Sequence, residues 1–255
     1  MVPEKTGNRA AAAIIVGAGK GLRMHSTIPK QYLRLTNLPV IAYTLKAFAA
    51  CDKIAEIHLV VSEAEADFCR ETILSSLAIA KPINVVIGGK RRQDSVYNGL
   101  LAMEGHGGIV AIHDGVRPFV QPSQIAECIA QAEASGACML GMPVGDTLKR
   151  VGSSNIIERT VLRDNIWQAQ TPQAFQYQLI RAAHEKAMDE GFSGTDDASL
   201  VERYGGQVKI LEGSATNIKI THPEDLVIAE ALMGMEGQRS EDRDQKPEVN
   251  SRINR

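Results

Sequence analysis

Several things the sequence has little of narrow its class before any motif is read. Its four cysteines, Cys51, Cys69, Cys128 and Cys138, lack any Cys-x-x-Cys spacing and lie among apolar neighbours. That pattern disfavours zinc and fits buried thiols in a reducing compartment. Charge of one sign is lacking too. A formal net charge of −2 draws the chain to neither nucleic acid nor acidic membranes, so any basic site is local. No apolar run is long enough to cross a membrane. The short one from Ala11 to Val16 follows a polar start and meets glycines at once, with no cleavage-site pattern. Internal repeats and low-complexity tracts are absent as well. These absences predict a cytosolic protein, and 255 residues with 44% hydrophobic and 23% charged content suffice for one large α/β domain.

What is present starts with glycine. The stretch Gly17-Ala18-Gly19-Lys20-Gly21-Leu22-Arg23-Met24 follows an apolar run short enough to be a buried parallel strand, so the glycines lie where strand gives way to loop. Here main-chain N–H groups can approach an anion, and Lys20, Arg23 and Lys30 bring three cations to the same place. A polyphosphate suits such a loop. It is not a Walker loop, which needs Gly-Lys-Ser/Thr where this chain has Gly21-Leu22-Arg23. Nor is Gly-x-Gly-x-Gly the dinucleotide fingerprint, which has one more residue before its third glycine; a dehydrogenase fits poorly.

Along the chain, strands and helices alternate. Residues 1–9 are polar and predicted loose. After the loop, Pro39 opens a helix whose Ile41, Leu45 and Phe48 share a face. Strands are predicted over 54–61, 83–87, 109–112 and 137–143, and helices over 64–77, 94–103 and 122–135. From Val144 to Trp167 the rhythm breaks: polar and β-branched residues flank a turn at Gly152-Ser153-Ser154-Asn155, which reads as a hairpin leaving the body. Helices over 177–190, 196–204 and 223–233 and strands over 208–211 and 218–221 complete the pattern. The stretch 234–255, rich in charge and poor in apolar residues, is predicted disordered. Such alternation implies a mostly parallel sheet covered on both faces, with ligands beyond the carboxyl ends of its strands.

That rule gathers Gly17–Arg23, Gly88–Ser95, His113–Arg117 and Thr216–Lys219 on one rim. Asp114 suits a hard divalent cation such as magnesium, or equally a salt bridge to Arg117. Arg23 and Lys30 are placed to neutralise charge gathering at a phosphorus centre. Ser95 fits either a hydrogen bond to a base or a helix cap, and His113 either a general base or a packed ring. Arg163, Thr171, Thr195 and Lys219 are candidates to grip a second anionic substrate. Asp196 and Asp197 are paired acids or, more simply, charges favoured at a helix start.

These segments together resemble the 2-C-methyl-D-erythritol 4-phosphate cytidylyltransferase family. The likeness runs through the glycine loop with Arg23-Met24 and Pro29-Lys30-Gln31-Tyr32, then Gly88-Gly89 to Arg92, Asp94-Ser95-Val96, His113-Asp114 and Arg117-Pro118. It continues in Asp146-Thr147 with Lys149-Arg150, Trp167, Thr171-Pro172-Gln173, Thr195 to Ser199, and Asn217 to Thr221, and so spans residues 11 to about 233. The resemblance implies a Rossmann-like α/β fold with a protruding β-arm over 144–167. It also implies that CTP and the methylerythritol phosphate meet at one site with Mg2+, and that pyrophosphate is released. Arg23 and Lys30 would stabilise the transition state, and Arg163 and Lys219 would position the acceptor phosphate. Gly17, Ala18, Gly19, Gly21, Gly89, Ser95 and Gly115 would meet the nucleotide. Asp114, Arg117, Thr147, Thr171 and Thr195 would meet the second substrate, and Asp114 also the metal. The family's homodimer exchanges its arms, so Thr147 and Arg163 would serve the neighbouring subunit's site. Gly17 stands where alanine is usual, and Gly115-Val116 replaces an Ala-Ala pair, as in related ribitol-5-phosphate cytidylyltransferases. That leaves a ribitol or other sugar phosphate as the rival acceptor. A nucleotide-binding module without turnover is the rival of another class.

Overall fold

Alternation of side chains along one strand decides the layering. Strand β1 (Ala11–Val16) sends Ala11, Ala13 and Ile15 into one apolar cluster and Ala12 and Ile14 into another, because successive side chains point to opposite faces. A strand buried on both faces must be apolar throughout, and the run AAAIIV is. The computed structural model describes residues 10–244 apart from Lys20, His25 and Thr27, with the backbone alone for Leu22 and 236–244. The expectations for residues 1–9, for Lys20 and for 245–255 lie outside the described residues.

Two short strands, β2 (Arg34–Leu35) and β3 (Leu38–Pro39), precede helix α1 (Val40–Ala49). Strand β4 (Ile54–Val61) leads to a winding stretch that contains α2 (Ala66–Phe68) and then to β5 (Ile83–Ile87). There follow α3 (Arg92–Leu101), β6 (Ile109–Asp114), α4 (Pro122–Ser135) and β7 (Ala137–Pro143). The hairpin pair β8 (Leu148–Val151) and β9 (Ile157–Val161) comes next, then β10 (Trp167–Gln176), α5 (Tyr177–Asp189) and α6 (Asp197–Tyr204). Strand β11 (Lys209–Glu212) and α7 (Pro223–Asp244) complete the described chain.

The main sheet has seven strands in the order β11-β7-β10-β6-β1-β4-β5, and β10 alone runs against its neighbours. Helices α1 and α4 cover one face through Leu45, Phe48, Ile125 and Ile129. Helices α3, α5 and α6 cover the other through Val96, Leu100, Ile180 and Val201. This is the mostly parallel sheet covered on both faces that the alternation implied, in the Rossmann-like α/β form that the resemblance implied. After β1 the chain builds outward through β4 and β5, then returns to place β6 on the other side of β1. The carboxyl ends of β1 and β6 therefore flank the crevice where such sheets bind ligands.

Three expectations need correction, and β10 is a strand that the residue pattern did not predict. The stretch 64–77 is not one helix but passes through 3-10, α and π turns, with the Ser76 hydroxyl donating to the Ile73 carbonyl at 2.7 Å and so drawing it from the regular helical pattern. Residues 218–221 form no strand. The Ile220 N–H donates to the Val116 carbonyl at 2.9 Å, an anchor rather than a ladder. Strand β10 continues well past Trp167 through polar residues, to the middle of the sheet. Finally, α7 runs on to Asp244, so residues 234–244, read as tail, are helical. Extending a helix already nucleated by packing costs little per residue, and this segment holds no proline. No described helix is long and apolar enough to cross a membrane.

Candidate active site

Register brings the rim together: β1 and β6 run parallel with Val16 opposite Asp114, so both strands deliver their next residue to the same edge. The Gly17 N–H donates to the Val60 carbonyl at 2.7 Å, and the Gly17 carbonyl accepts from Gln31 Nε2 at 2.6 Å. The loop's first residue is thus pinned from two sides. Gly21 turns the chain with φ of +60°, a conformation that favours glycine. At the end of β5, beyond β4, a Cβ on Gly88 would lie 2.7 Å from that of Ala18 and 2.9 Å from Ser95 Oγ, so only glycine lets these loops pack. Ser95 is buried. Its hydroxyl accepts from the Gly89 N–H at 3.1 Å and donates to the Arg91 carbonyl at 3.0 Å, so it shapes the turn before α3.

Lys30 joins this edge from the turn after Pro29. Its ammonium donates to the Ile220 carbonyl at 2.9 Å. Burial, followed by the nearby Lys219 and against the pull of Asp114, lowers its pKa to about 8. Arg23, exposed on the glycine loop, adds to that positive field.

Asp114 is the anionic centre. It is 6% exposed, and three cations converge on it. Arg92 Nε is 3.1 Å from Oδ1, Lys219 Nζ 2.8 Å from Oδ2, and Arg117 Nε 3.7 Å from Oδ2. Burial alone would raise the carboxyl's pKa; Arg92, Lys219 and Arg117 overcome that and hold it well below the usual carboxylate range. Of the two readings open for Asp114, the ion pair is present, though it extends well beyond Arg117. Arg117 itself is buried and donates to the Asn217 carbonyl at 2.7 Å. That contact, with Asn217 Nδ2 donating to the Thr171 carbonyl at 2.9 Å, ties the segment before Lys219 to the rim.

Other expectations resolve differently. His113 is a packed ring: fully buried, it sits 2.9 Å from Thr171 Oγ1 and 3.2 Å from the Arg117 carbonyl, and burial lowers its pKa to about 3. An imidazole this weakly basic, buried and with both ring nitrogens already hydrogen-bonded, is a poor acceptor for a substrate proton. Thr171, expected to line the second substrate's pocket, is buried with its hydroxyl accepting from the Asp114 N–H at 3.2 Å. It supports the aspartate's loop. Asp196 caps α6, accepting from the Ser199 N–H at 3.0 Å, as a helix-start charge should. Asp197 does more, for it is 1% exposed and 2.7 Å from Arg92 NH1. Thr195 lies exposed just before it. Among the described residues, Thr147 and Arg163 make no hydrogen bond or ion pair with the rim side chains named above. Both are exposed on the hairpin, where Arg163 bonds the Gly145 carbonyl.

Residue patterns alone did not single out Arg92, Asn217 or Gln31. Arg92 ends a basic run, Lys90-Arg91-Arg92, right after Gly88-Gly89, and that position was the available signal.

Comparison with known proteins follows the same lines. The family described as 2-C-methyl-D-erythritol 4-phosphate cytidylyltransferase matches residues 11–235. A protein of that name from Pelotomaculum thermopropionicum is 46% identical over 222 residues, covering 87% of this chain and 93% of the relative. Another from Geotalea uraniireducens is 46% identical over 223 residues, covering 87% and 95%. Among solved structures, a 4-diphosphocytidyl-2C-methyl-D-erythritol synthase from Anaerococcus prevotii is similar with a TM-score of 0.78 at 31% identity, over 89% of this chain and 99% of that one. The Thermus thermophilus 2-C-methyl-D-erythritol 4-phosphate cytidylyltransferase gives 0.72 at 33% identity, over 88% and 98%.

Proposed function

The chain belongs to the 2-C-methyl-D-erythritol 4-phosphate cytidylyltransferase family, and from that premise we propose how its residues divide the work. It is a nucleotidyltransferase of isoprenoid biosynthesis that joins CTP and 2-C-methyl-D-erythritol 4-phosphate into 4-diphosphocytidyl-2-C-methyl-D-erythritol. In this reaction an acceptor phosphate oxygen attacks the α-phosphorus of CTP, the bond to the β-phosphate breaks, and pyrophosphate leaves.

The single observation that carries the assignment is the convergence of Lys30, Lys219, Arg92 and Arg117 around Asp114, beside the glycine loop. The main chain of Gly17, Ala18, Gly19 and Gly21 receives the triphosphate, with Gly89 and Gly115 at its sides and Ser95 shaping the turn. Lys30 and Arg23 meet the charge that builds on the equatorial oxygens. Lys30 suits this because its cramped charge gains most when an anion arrives. Lys219 and Asp114 orient the acceptor phosphate, Arg117 and Thr171 hold that pair in place, and Thr195 faces the acceptor's carbon chain. The reaction needs no protein nucleophile.

No three His, Cys, Asp or Glu converge among the described residues, and both oxygens of Asp114 face cations. Mg2+ would therefore come in on the phosphates, and Asp114 would be its one protein ligand only once Lys219 turns from Oδ2 to the acceptor phosphate. Bound there, the ion offsets charge on the phosphates. A homodimer with exchanged arms is part of the same reading. It is supported by apolar residues left in the open on the hairpin, among them Leu162, 80% exposed, and Ile156, 69% exposed. Thr147 and Arg163 then complete the site of the other subunit. A cytosolic location is supported by four free, buried thiols.

Pyrophosphate release from CTP with 2-C-methyl-D-erythritol 4-phosphate and, separately, with ribitol 5-phosphate tests the assignment. Turnover with the first acceptor is expected; turnover with ribitol 5-phosphate alone would overturn it.

A further inference from the structure

Arg92 does something that the division of work above leaves unexplained. Its guanidinium reaches two carboxylates at once, with Nε 3.1 Å from Asp114 Oδ1 and NH1 2.7 Å from Asp197 Oδ2. Among the described residues, Asp197 has one other neighbour of opposite potential charge, His184, whose Nε2 is 3.3 Å away. The Asp114 side is different, because Lys219 also holds that carboxylate from a side chain that is 39% exposed and free to turn to a phosphate. When Lys219 turns, Arg92 is the hydrogen-bonding cation that stays.

The surroundings of Asp197 are built to hold still. Gln93, next to Arg92 on α3, accepts from the Gly194 N–H at 3.1 Å and donates to the Phe192 carbonyl at 3.3 Å. From β10, Gln173 donates to Asp196 Oδ2 at 2.8 Å and accepts from the Ala198 N–H at 3.0 Å. The segment carrying Thr195 is therefore gripped from two elements, and Arg92 extends the grip to the rim aspartate.

We propose that Arg92 is a positioning residue, a strut that fixes the distance between Asp114 and the segment Thr195–Asp197. The acceptor thereby finds both walls of its pocket in place when Lys219 leaves Asp114 for the phosphate. This rests on the reading that Asp114 and Thr195 face the acceptor. Lysine cannot replace the strut, because a single ammonium cannot reproduce two N–H groups aimed at two carboxylates.

Steady-state kinetics of the full chain with Arg92→Lys, Asp197→Asn and the double variant test it. Each single variant should raise the KM for 2-C-methyl-D-erythritol 4-phosphate about tenfold, as loss of one charged hydrogen bond does. The KM for CTP should rise clearly less, since the residues 17–21 that receive the triphosphate are untouched. The double variant should be no worse than the poorer single one, because both break one link. An unchanged acceptor KM, an equal rise in both KM values, or multiplied effects in the double variant would overturn the strut. Hydrogen exchange gives a readout without turnover. In Arg92→Lys the amides of 114–117 and 195–199 should both exchange faster, and unchanged exchange would overturn the strut. Should the parent enzyme fail to use this acceptor, the functional reading falls while the exchange experiment still decides the strut.

Discussion

Lys30 carries its charge at a cost. Burial and the neighbouring Lys219 bring its pKa down to about 8, while the unfolded chain keeps the proton to the ordinary lysine value of 10.5. Between those values the unfolded state binds more protons, so this residue makes stability rise with pH across that window. Replacing Lys30 with Met removes the charge and keeps the stem. Thermal melts should show Lys30→Met at least as stable as the parent near pH 7, and without the parent's rise from about pH 8 to about pH 10. Activity should move the other way. For Lys30→Ala we expect kcat to fall by about 10²–10³, the usual loss for one transition-state donor, with a smaller change in the KM for CTP. Equal loss in both would deny Lys30 its role in the chemical step.

At the scale of elements, the hairpin β8–β9 and the helix α7 make opposite predictions. If the hairpin serves the partner's site, inactive Lys30→Ala and Arg163→Ala homodimers will complement when mixed and allowed to exchange. One site of each mixed dimer then holds both residues, and random exchange should restore about a quarter of parental activity. No recovery despite proven exchange would place Arg163 in its own subunit's site. Helix α7 is held by Ala229, Leu226, Leu232 and Met233 against Met24, Leu35 and Val116. Ending the chain after residue 236 keeps all of these, so kcat should change less than about twofold and Tm by no more than about 4 °C, the shift expected for a loss near 1 kcal/mol. The elements also show what a sequence can reveal. Strands β1, β6 and β7 were legible because short apolar runs end in glycine, aspartate or proline. Strand β10 hid beyond Trp167, since its polar side chains serve other elements: Gln170 bonds the Ser214 carbonyl, Thr171 the Asp114 N–H, and Gln173 the start of α6. Polar residues used as ties leave no alternation to read. Arg92 hid for a related reason, because its partner Asp197 is 105 positions away and a basic run otherwise looks like a solvated surface.

For the whole molecule, the net charge of −2 and the cationic rim belong together. Arg23, Lys30, Arg92, Arg117 and Lys219 concentrate positive potential at one sheet edge, with Asp114 as their internal counterion. A polyanion is thus attracted locally and not by the chain at large. The glycine loop, the return of β6 beside β1 and the anchor of Ile220 on Val116 all serve to bring those groups to one place. A crystal structure of the protein with CTP and Mg2+ tests this most directly. The account predicts the triphosphate along Gly17–Gly21, with Arg23 and Lys30 on its oxygens and the α-phosphorus facing Lys219 and Asp114. A nucleotide bound away from Lys30 and Asp114 would contradict it.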